Sequence, residues 1–285
     1  MSAAMALVIL PSCPGKVRTA IFGLIGRSPI GGEMPLRLET DGAAIVRGFL
    51  SRRAYSHIAE IVGNAFAFLD AGGGDAALRE NWISVGTLWL TNLEHCVAPK
   101  PARELVTLLS RANRRLGSSY LAADICSIRR LTDWHRGLHW HTDYHGGGTA
   151  HYDPCFNIWL PLTAVGREQP SIELVRGSHR RMRELTPSET GIFTDEWVAE
   201  HFPPTDRIAP ELEPRDALIF DHSTLHRTQP LQRETVSRRS IECRVTRHPA
   251  YLALEQARSP RIRMMRQLGK LAYFLAWVRR GMPPK

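Results

Sequence analysis

Apolar residues first recur at helical spacing beyond Ser51. Ala54, Ile58, Ile61, Val62, Ala65, Phe68 and Leu69 fall at i, i+3, i+4 and i+7, one stripe of a helix that Ser51 is placed to cap. A stripe of that width is buried against a core, which makes this helix scaffold. The segment ARELVTLLSRANRRLG repeats the device with Leu105, Leu108, Leu109, Ala112 and Leu116, and Gly117 stands where a left-handed C-terminal cap belongs. Ahead of both, PLRLETDGAAIVRGFLS, starting near Met34, reads as a strand that ends at Phe49. From Tyr120 to about Arg247 the period changes. YLAADICSIRRL, FNIWLPL, SIELV, DALIFDH and RSIECRV are short runs of β-formers, separated by Pro, Gly, Asp and Asn. The last segment, RIRMMRQLGKLAYFLAWVRR, returns to helical spacing with Met264, Leu268, Leu271, Leu275 and Val278 on one stripe and Phe274 and Trp277 beside it.

Helices, then many short strands, then a closing helix predict an α+β chain built on a β sandwich or barrel. Three regions follow: a tail over 1–33, a main domain over 34–250, and an amphipathic C-terminal helix over 251–285. The basic flanks of that helix suit packing on the chain's own sheet, and they also suit a membrane surface or a second subunit. In the tail, MSAAMALVIL lacks a preceding basic region and is broken by PSCPG, which does not fit a secretory signal. No run reaches the roughly 18 consecutive apolar residues of a membrane-spanning helix. Five scattered cysteines without a Cys-x-x-Cys pair indicate neither a disulfide framework nor a zinc knuckle, and predict a reducing, cytoplasmic setting. The formal charge of +9 is compatible with an anionic partner and equally with mere solubility.

Chemistry concentrates in GLHWHTDYHGGG, residues 137–148. If 138–143 form a strand, His139, His141 and Asp143 project to one side while Trp140 and Thr142 point away. Two imidazole nitrogens and a carboxylate oxygen suit Fe(II) and leave positions open for a chelating cosubstrate and dioxygen. The third ligand must come from elsewhere, and DALIFDHSTLHRT supplies His226, with His222 as its competitor in the same loop. Further on, SRRSIECRV places Arg238 and Ser240 on one strand face, a guanidinium fork and a hydroxyl suited to a buried carboxylate, with Arg239 pointing the other way.

These residues resemble the iron(II)- and 2-oxoglutarate-dependent oxygenases, in particular the phytanoyl-CoA dioxygenase-like branch. The likeness runs from about Asp41 to Arg247: DGAAIVRGFLS, HWHTD, FNIWLPLTAV, SIELVRGSHRR, PRDALIFDHSTLHRT and RRSI follow in the family's order. It implies a double-stranded β-helix, a jelly-roll barrel of the cupin kind with flanking helices. It implies Fe(II) held by His141, Asp143 and His226, and 2-oxoglutarate held by Arg238 with Ser240, O2 being the co-reactant. The implied reaction releases succinate and CO2 and hydroxylates a C–H bond of a small or medium substrate, anionic or carrier-bound substrates included. Halogenating branches replace the carboxylate ligand with a small residue, so Asp143 implies hydroxylation or desaturation. Two departures stand out. The family's Gly-Asp before the distal strand is Arg215-Asp216 here, a turn without a glycine to rely on. The His226 to Arg238 interval is one residue longer than the pattern, which leaves Arg239 or Arg233 as alternatives for the carboxylate.

Asn157 and Trp159 share a strand face next to the expected site, where they pack in the core or line the cofactor pocket. His139 reads as a supporting residue behind the ligands. His135, His145 and His151 read as surface residues, Gly146 to Gly148 as a substrate lid, and Arg176, Arg180, Arg181 and Arg183 as a solvated turn that could otherwise receive an anion. About 80 residues separate Asp143 from His226, too many for the nucleic-acid demethylase branch, so nucleic acid is not an expected partner. The alternatives are a cupin-type metal enzyme independent of 2-oxoglutarate, using the His-x-His of HWHTDYH, and a noncatalytic binding or sensor module on the same barrel.

Overall fold

The computed structural model describes residues 36–114, 120–121, 126–133, 135, 137–143, 155–184, 191–230 and 236–246. The expectations for 1–33 and 251–285, and those for Leu116, Gly117, His145, Gly146 to Gly148, His151 and Arg233, fall outside these residues.

Helix α1 (Leu38–Asp41) turns through Gly42 at φ 75° into strand β1 (Ala43–Val46), which is shorter than the expected strand; Phe49 and Leu50 are buried beyond its end. Helix α2 (Arg52–Asp70) is capped as expected, the Ser51 hydroxyl accepting from Ala54 N at 3.2 Å. Its buried face carries Ile58, Ile61, Val62, Ala65, Phe66 and Leu69. Phe68 is not part of it: at 100° per residue it lies roughly 90° from the stripe's centre and is 38% exposed. Phe66, on the other flank, packs on Trp82 with ring centroids 4.7 Å apart. Trp82 belongs to helix α3 (Ala76–Val85), which has Asp75 as its cap and only two buried residues, Leu78 and Trp82. Too narrow a stripe explains why periodicity misses it. Helix α4 (Pro99–Arg114) starts three residues before the expected Ala102 and buries Leu105, Leu109 and Ala112.

The strands are β2 (Thr87–Trp89), β3 (Tyr120–Leu121), β4 (Ser127–Thr132), β5 (Cys155–Pro161), β6 (Ile172–Val175), β7 (Arg207–Ile208), β8 (Ala217–Asp221), β9 (His226–Thr228) and β10 (Ser237–Thr246). Seven form one antiparallel sheet in the order β1-β8-β5-β10-β4-β2, with β3 also paired to β10; β7-β6-β9 form a smaller sheet. Side-chain alternation splits the large sheet into two faces. Ile128, Ile158, Leu160, Ile219, Ile241, Cys243 and Val245 join the residues of the helices in the main core. Trp159, Leu218 and Phe220 turn the other way and pack with Ile172 and Leu174 of the small sheet. This α+β arrangement of facing antiparallel sheets is the sandwich that the patterning predicts and the jelly roll that the family resemblance implies, with the helices stacked on one outer face. Short α5 (Ser178–Glu184) and α6 (Asp195–His201) close its other side.

The turn into β8 corrects one expectation. Arg215 adopts φ 86°, alone among the described non-glycine residues in being positive, so the left-handed turn survives without glycine. Its surroundings hold it there. Arg215 Nε donates to Leu50 O at 3.0 Å, and Leu50 N donates to Arg215 O at 3.0 Å. Asp216 accepts from Arg47 Nη1 at 2.7 Å, Gly48 N at 2.9 Å and Glu213 N at 3.0 Å. Arg215→Ala keeps the left-handed cost of about 1 kcal/mol and loses a hydrogen bond worth about 1 kcal/mol. Arg215→Gly loses the bond but not the conformation. In urea titrations Arg215→Gly is therefore expected to be the more stable variant by about 1 kcal/mol; the opposite order would mean that the turn stores no backbone strain.

Candidate metal centre

Residues 138–143 do not form the regular strand that the alternation argument assumed. They run as an extended loop between two partners. On one side Thr228 N donates to Leu138 O at 3.0 Å, His141 and His226 exchange both backbone hydrogen bonds at 2.9 Å, and Asp143 N donates to His222 O at 2.9 Å. On the other, Phe193 N donates to Trp140 O at 2.8 Å and Thr142 N to Gly191 O at 3.2 Å. Trp140 anchors the loop: it is buried, its Nε1 donates to Asp195 Oδ1 at 2.9 Å, and the Arg227 guanidinium lies 4.4 Å from its ring.

That pairing brings the three expected ligands together. One ligand atom from each of His141, Asp143 and His226 lies within 4.8 Å of the others, and all three residues are buried. His226 Nε2 stands 3.7 Å from Asp143 Oδ2, and the two imidazole centroids are 4.1 Å apart. Each ring is oriented by a carbonyl two residues before it in the chain: His141 Nδ1 lies 2.7 Å from His139 O, and His226 Nδ1 lies 2.9 Å from Thr224 O. With Nδ1–H donating to those carbonyls, both rings are left with Nε2 lone pairs for an electrophile. Burial, with a smaller contribution from His226, pushes the His141 pKa down to about 4; burial also lowers that of His226. Neutral imidazoles beside a carboxylate are the protonation states a divalent cation requires. The donor set therefore fits Fe(II).

The other histidines of the motif sort differently from the sequence reading. His139 is exposed, and it supports His141 through its carbonyl rather than its ring. His222 is buried, gives its carbonyl to Asp143 N, and stands outside the ligand cluster. His135 is buried rather than on the surface, its Nδ1 accepting from Thr132 N at 3.2 Å.

Asp143 has partners that the sequence reading missed. Arg244 Nη2 donates to its Oδ1 at 2.5 Å and also reaches Glu242 Oε1 at 3.0 Å. Asn157 Nδ2 donates to its Oδ2 at 2.5 Å, while Asn157 Oδ1 accepts from Arg244 Nε at 3.2 Å. Asn157 is therefore a support of the carboxylate and not part of the cleft wall. Burial disfavours the Arg244 cation, but Asp143 and Glu242 outweigh it and raise its pKa above the ordinary arginine value. The signal was present in RSIECRV. Strand alternation from Arg238 and Ser240 continues through Glu242 to Arg244 on the same face.

A cleft leads from His141 and His226 to Arg238 and Ser240, with Trp159 and Leu138 on its walls. Arg238 is 2% exposed, and its guanidinium carbon lies 5.4 Å from the Trp159 ring centroid. Burial, reinforced by Arg129, lowers its pKa to about 9. Its Nη1 makes only long contacts, 3.3 Å to Pro170 O and 3.4 Å to Ser171 O, and its Nε has no hydrogen-bond partner among the described residues. A buried cation so poorly satisfied fits an anionic ligand at this end of the cleft. Arg239 points to the helical face, 5.9 Å from the Phe66 ring centroid. In the arginine-rich turn, Arg180 donates to Glu39 O at 2.6 Å, Arg181 to His201 O, and Arg183 to Asp221 Oδ2 at 3.1 Å; these three fasten α5 to its neighbours.

The family model described as phytanoyl-CoA dioxygenase (PhyH) matches residues 38–240. The chain belongs to this family. Its members are Fe(II)- and 2-oxoglutarate-dependent oxygenases, and the chain is an enzyme of that class. No curated protein matches it by sequence. Solved structures share the fold of this phytanoyl-CoA dioxygenase family member. AviO1 from Streptomyces viridochromogenes is 16% identical with a TM-score of 0.53, over 75% of this chain and 93% of that one. SnoK, a non-heme alpha-ketoglutarate-dependent carbocyclase from nogalamycin biosynthesis, is 17% identical with a TM-score of 0.54, over 76% and 87%. EctD from S. alaskensis, solved with 2-oxoglutarate and 5-hydroxyectoine, is 16% identical with a TM-score of 0.51, over 78% and 80%.

Two buried histidines outside the ligand set, His135 and His179, give a pH signature. Burial lowers the pKa of His135 and of His179 from the ordinary 6.5. Above that value both rings are neutral in the folded and unfolded chains alike. Below it the unfolded chain takes up protons that the folded chain refuses, so stability falls as pH drops from about 7 toward 5, by up to about 1.4 kcal/mol per pH unit for each ring. His135→Asn in the metal-free protein is expected to flatten that slope in thermal melts; a slope unchanged by it would show that His135 already titrates normally in the fold.

Proposed function

We propose that the enzyme hydroxylates an unactivated C–H bond of a small or medium organic substrate, His141, Asp143 and His226 holding Fe(II) and Arg238 with Ser240 holding the far carboxylate of 2-oxoglutarate. The observation that carries this reading is the convergence of two carbonyl-oriented imidazoles and one carboxylate within 4.8 Å, at the end of a cleft whose other end is a buried, under-satisfied arginine. When bound, the iron with 2-oxoglutarate and O2 supplies the oxidising power, and the cosubstrate leaves as succinate and CO2.

The chain's own residues do the positioning. Arg238 offers a fixed charge with paired donors to one end of a dianion, and Ser240 adds a hydroxyl on the same strand face, so the cosubstrate's other end is aimed at the three ligands. Phe220 is buried with its ring centroid 4.7 Å from that of His226 and helps keep bulk water from that ring. Asp143 as third ligand favours oxygen insertion or desaturation over halogenation, whose enzymes leave that place to a small residue. An anionic or carrier-tethered substrate suits the basic chain. The four described cysteines are buried and form no disulfide with one another, which suits a reducing, cytoplasmic setting. The exposed ring of His139 removes the His-x-His support for a cupin-type site without 2-oxoglutarate.

The test is anaerobic: Fe(II) and then 2-oxoglutarate are added to the purified protein, and the charge-transfer absorption of the chelated cosubstrate is followed. The band is expected, and its absence defeats the proposal. His226→Ala should weaken iron binding by about 100-fold or more. Arg238→Ala should weaken 2-oxoglutarate by about 10- to 100-fold with iron retained. The reverse pattern would reassign both roles.

A further inference from the structure

The network behind Asp143 assigns a role to a residue outside the ligand set. We infer that Arg244 is a positioning residue that occupies one oxygen of the Asp143 carboxylate, so that a single oxygen, Oδ2, is offered to the metal. This rests on the proposed ligand set.

The two oxygens are not equivalent. Oδ2 faces His226 Nε2 at 3.7 Å and is therefore the oxygen on the ligand side. Oδ1 receives Arg244 Nη2 at 2.5 Å, a charge-assisted bond in a part-buried place. Asn157 joins the two: it accepts from Arg244 Nε at 3.2 Å and donates to Oδ2 at 2.5 Å, which closes a ring of hydrogen bonds through the carboxylate. Glu242, bonded to the same Arg244 nitrogen at 3.0 Å, keeps the guanidinium on the site side of β10. Each carboxylate oxygen has two lone-pair directions. Oδ2 already lies on the side of the histidines, whereas turning Oδ1 toward them would break its bond to Arg244 and leave Arg244 and Glu242 to rearrange.

The consequence concerns the places that remain. Held by two imidazoles and one carboxylate oxygen, Fe(II) would keep room for a chelating cosubstrate and O2. A carboxylate using both oxygens would take up part of that room. Arg244 thus protects the room for 2-oxoglutarate rather than the grip on the metal, and its removal should separate the two affinities.

The test compares wild type, Arg244→Lys, and the charge-balanced double variant Arg244→Gln with Glu242→Gln, each checked by circular dichroism and thermal melting. Fe(II) affinity is measured anaerobically by calorimetry, and 2-oxoglutarate affinity of the iron-loaded protein by its charge-transfer band. In the folded double variant, Fe(II) affinity is expected within threefold of wild type or tighter, with 2-oxoglutarate bound at least tenfold more weakly and the band displaced. Arg244→Lys keeps a donor for Oδ1 and should return 2-oxoglutarate affinity to within threefold of wild type. Equal loss of both ligands, or a double variant indistinguishable from wild type, overturns the inference. So does an unfolded double variant accompanied by an Arg244→Lys variant that fails to bind 2-oxoglutarate. A wild-type protein that binds neither ligand instead defeats the proposed ligand set, before any variant is compared.

Discussion

Two reciprocal backbone hydrogen bonds, His141 N to His226 O and His226 N to His141 O, both 2.9 Å, set the position of the whole centre. Side-chain attraction could not do this. Two neutral imidazoles and a carboxylate have little cause to gather in a buried place without a cation, and desolvation opposes it. The backbone pays for the meeting instead: a residue pair that exchanges both bonds holds its Cα atoms about 5.5 Å apart, and the two rings inherit that closeness. Trp140 on one side and β9 on the other make the arrangement rigid, since the loop cannot slide without unseating a buried tryptophan and its bond to Asp195. The backbone pairing by itself thus suffices to bring the candidate ligands together.

Strand β10 divides labour along its length by alternation alone. Its odd positions Ile241, Cys243 and Val245 join the helical core, and its even positions Arg238, Ser240, Glu242 and Arg244 face the cleft and the centre. Because β4 and β5 pair with it on both sides, a one-residue slip would exchange a core of aliphatic side chains for a row of charges. The register that keeps the core dry therefore also spaces the arginine at the cleft's far end from the one on Asp143. Stability and site geometry are here the same constraint.

What could be read in the sequence follows from how local each determinant is. The Ser51 cap, the α2 stripe and the β texture from residue 120 onward are written in short spacings, and they appear in the structure. His141, Asp143 and His226 were legible from side-chain type and the family's order of motifs, although the strand invoked to put two of them on one face is an irregular loop. What failed was nonlocal. The burial of Phe66 over Phe68 depends on Trp82 arriving from α3, a helix with too few apolar positions to announce itself. His135 is buried by the same neighbourhood, a fact that no spacing around it encodes. The left-handed Arg215 is held by Leu50 and its turn is braced by Asp216 bonds to Arg47 and Gly48, residues far away in the chain. Arg244 was within reach of the alternation rule that selected Arg238, but its purpose appears only when Asp143 is beside it.

The charges about the centre explain why such a site tolerates burial. On the cleft side of β10, Arg238 and Arg244 stand with Glu242 and beside Asp143, and Arg129 of β4 and Arg227 of β9 line the same cleft. Fe(II) adds two positive charges and 2-oxoglutarate two negative ones, so the loaded centre carries the same balance as the protein alone. Either ligand by itself changes the charge of a largely buried centre by two, where such a change is costly. The two ligands therefore favour each other's binding through electrostatics even before the chelate bonds form, and by linkage that coupling is the same whichever comes first. Arg238, buried with few partners, is the cation that the proposal assigns to the anion, whereas Arg244 is already bonded to Asp143 and Glu242. In the proposed assignment one arginine binds and the other positions, and their neighbours on the facing strands are what tell them apart.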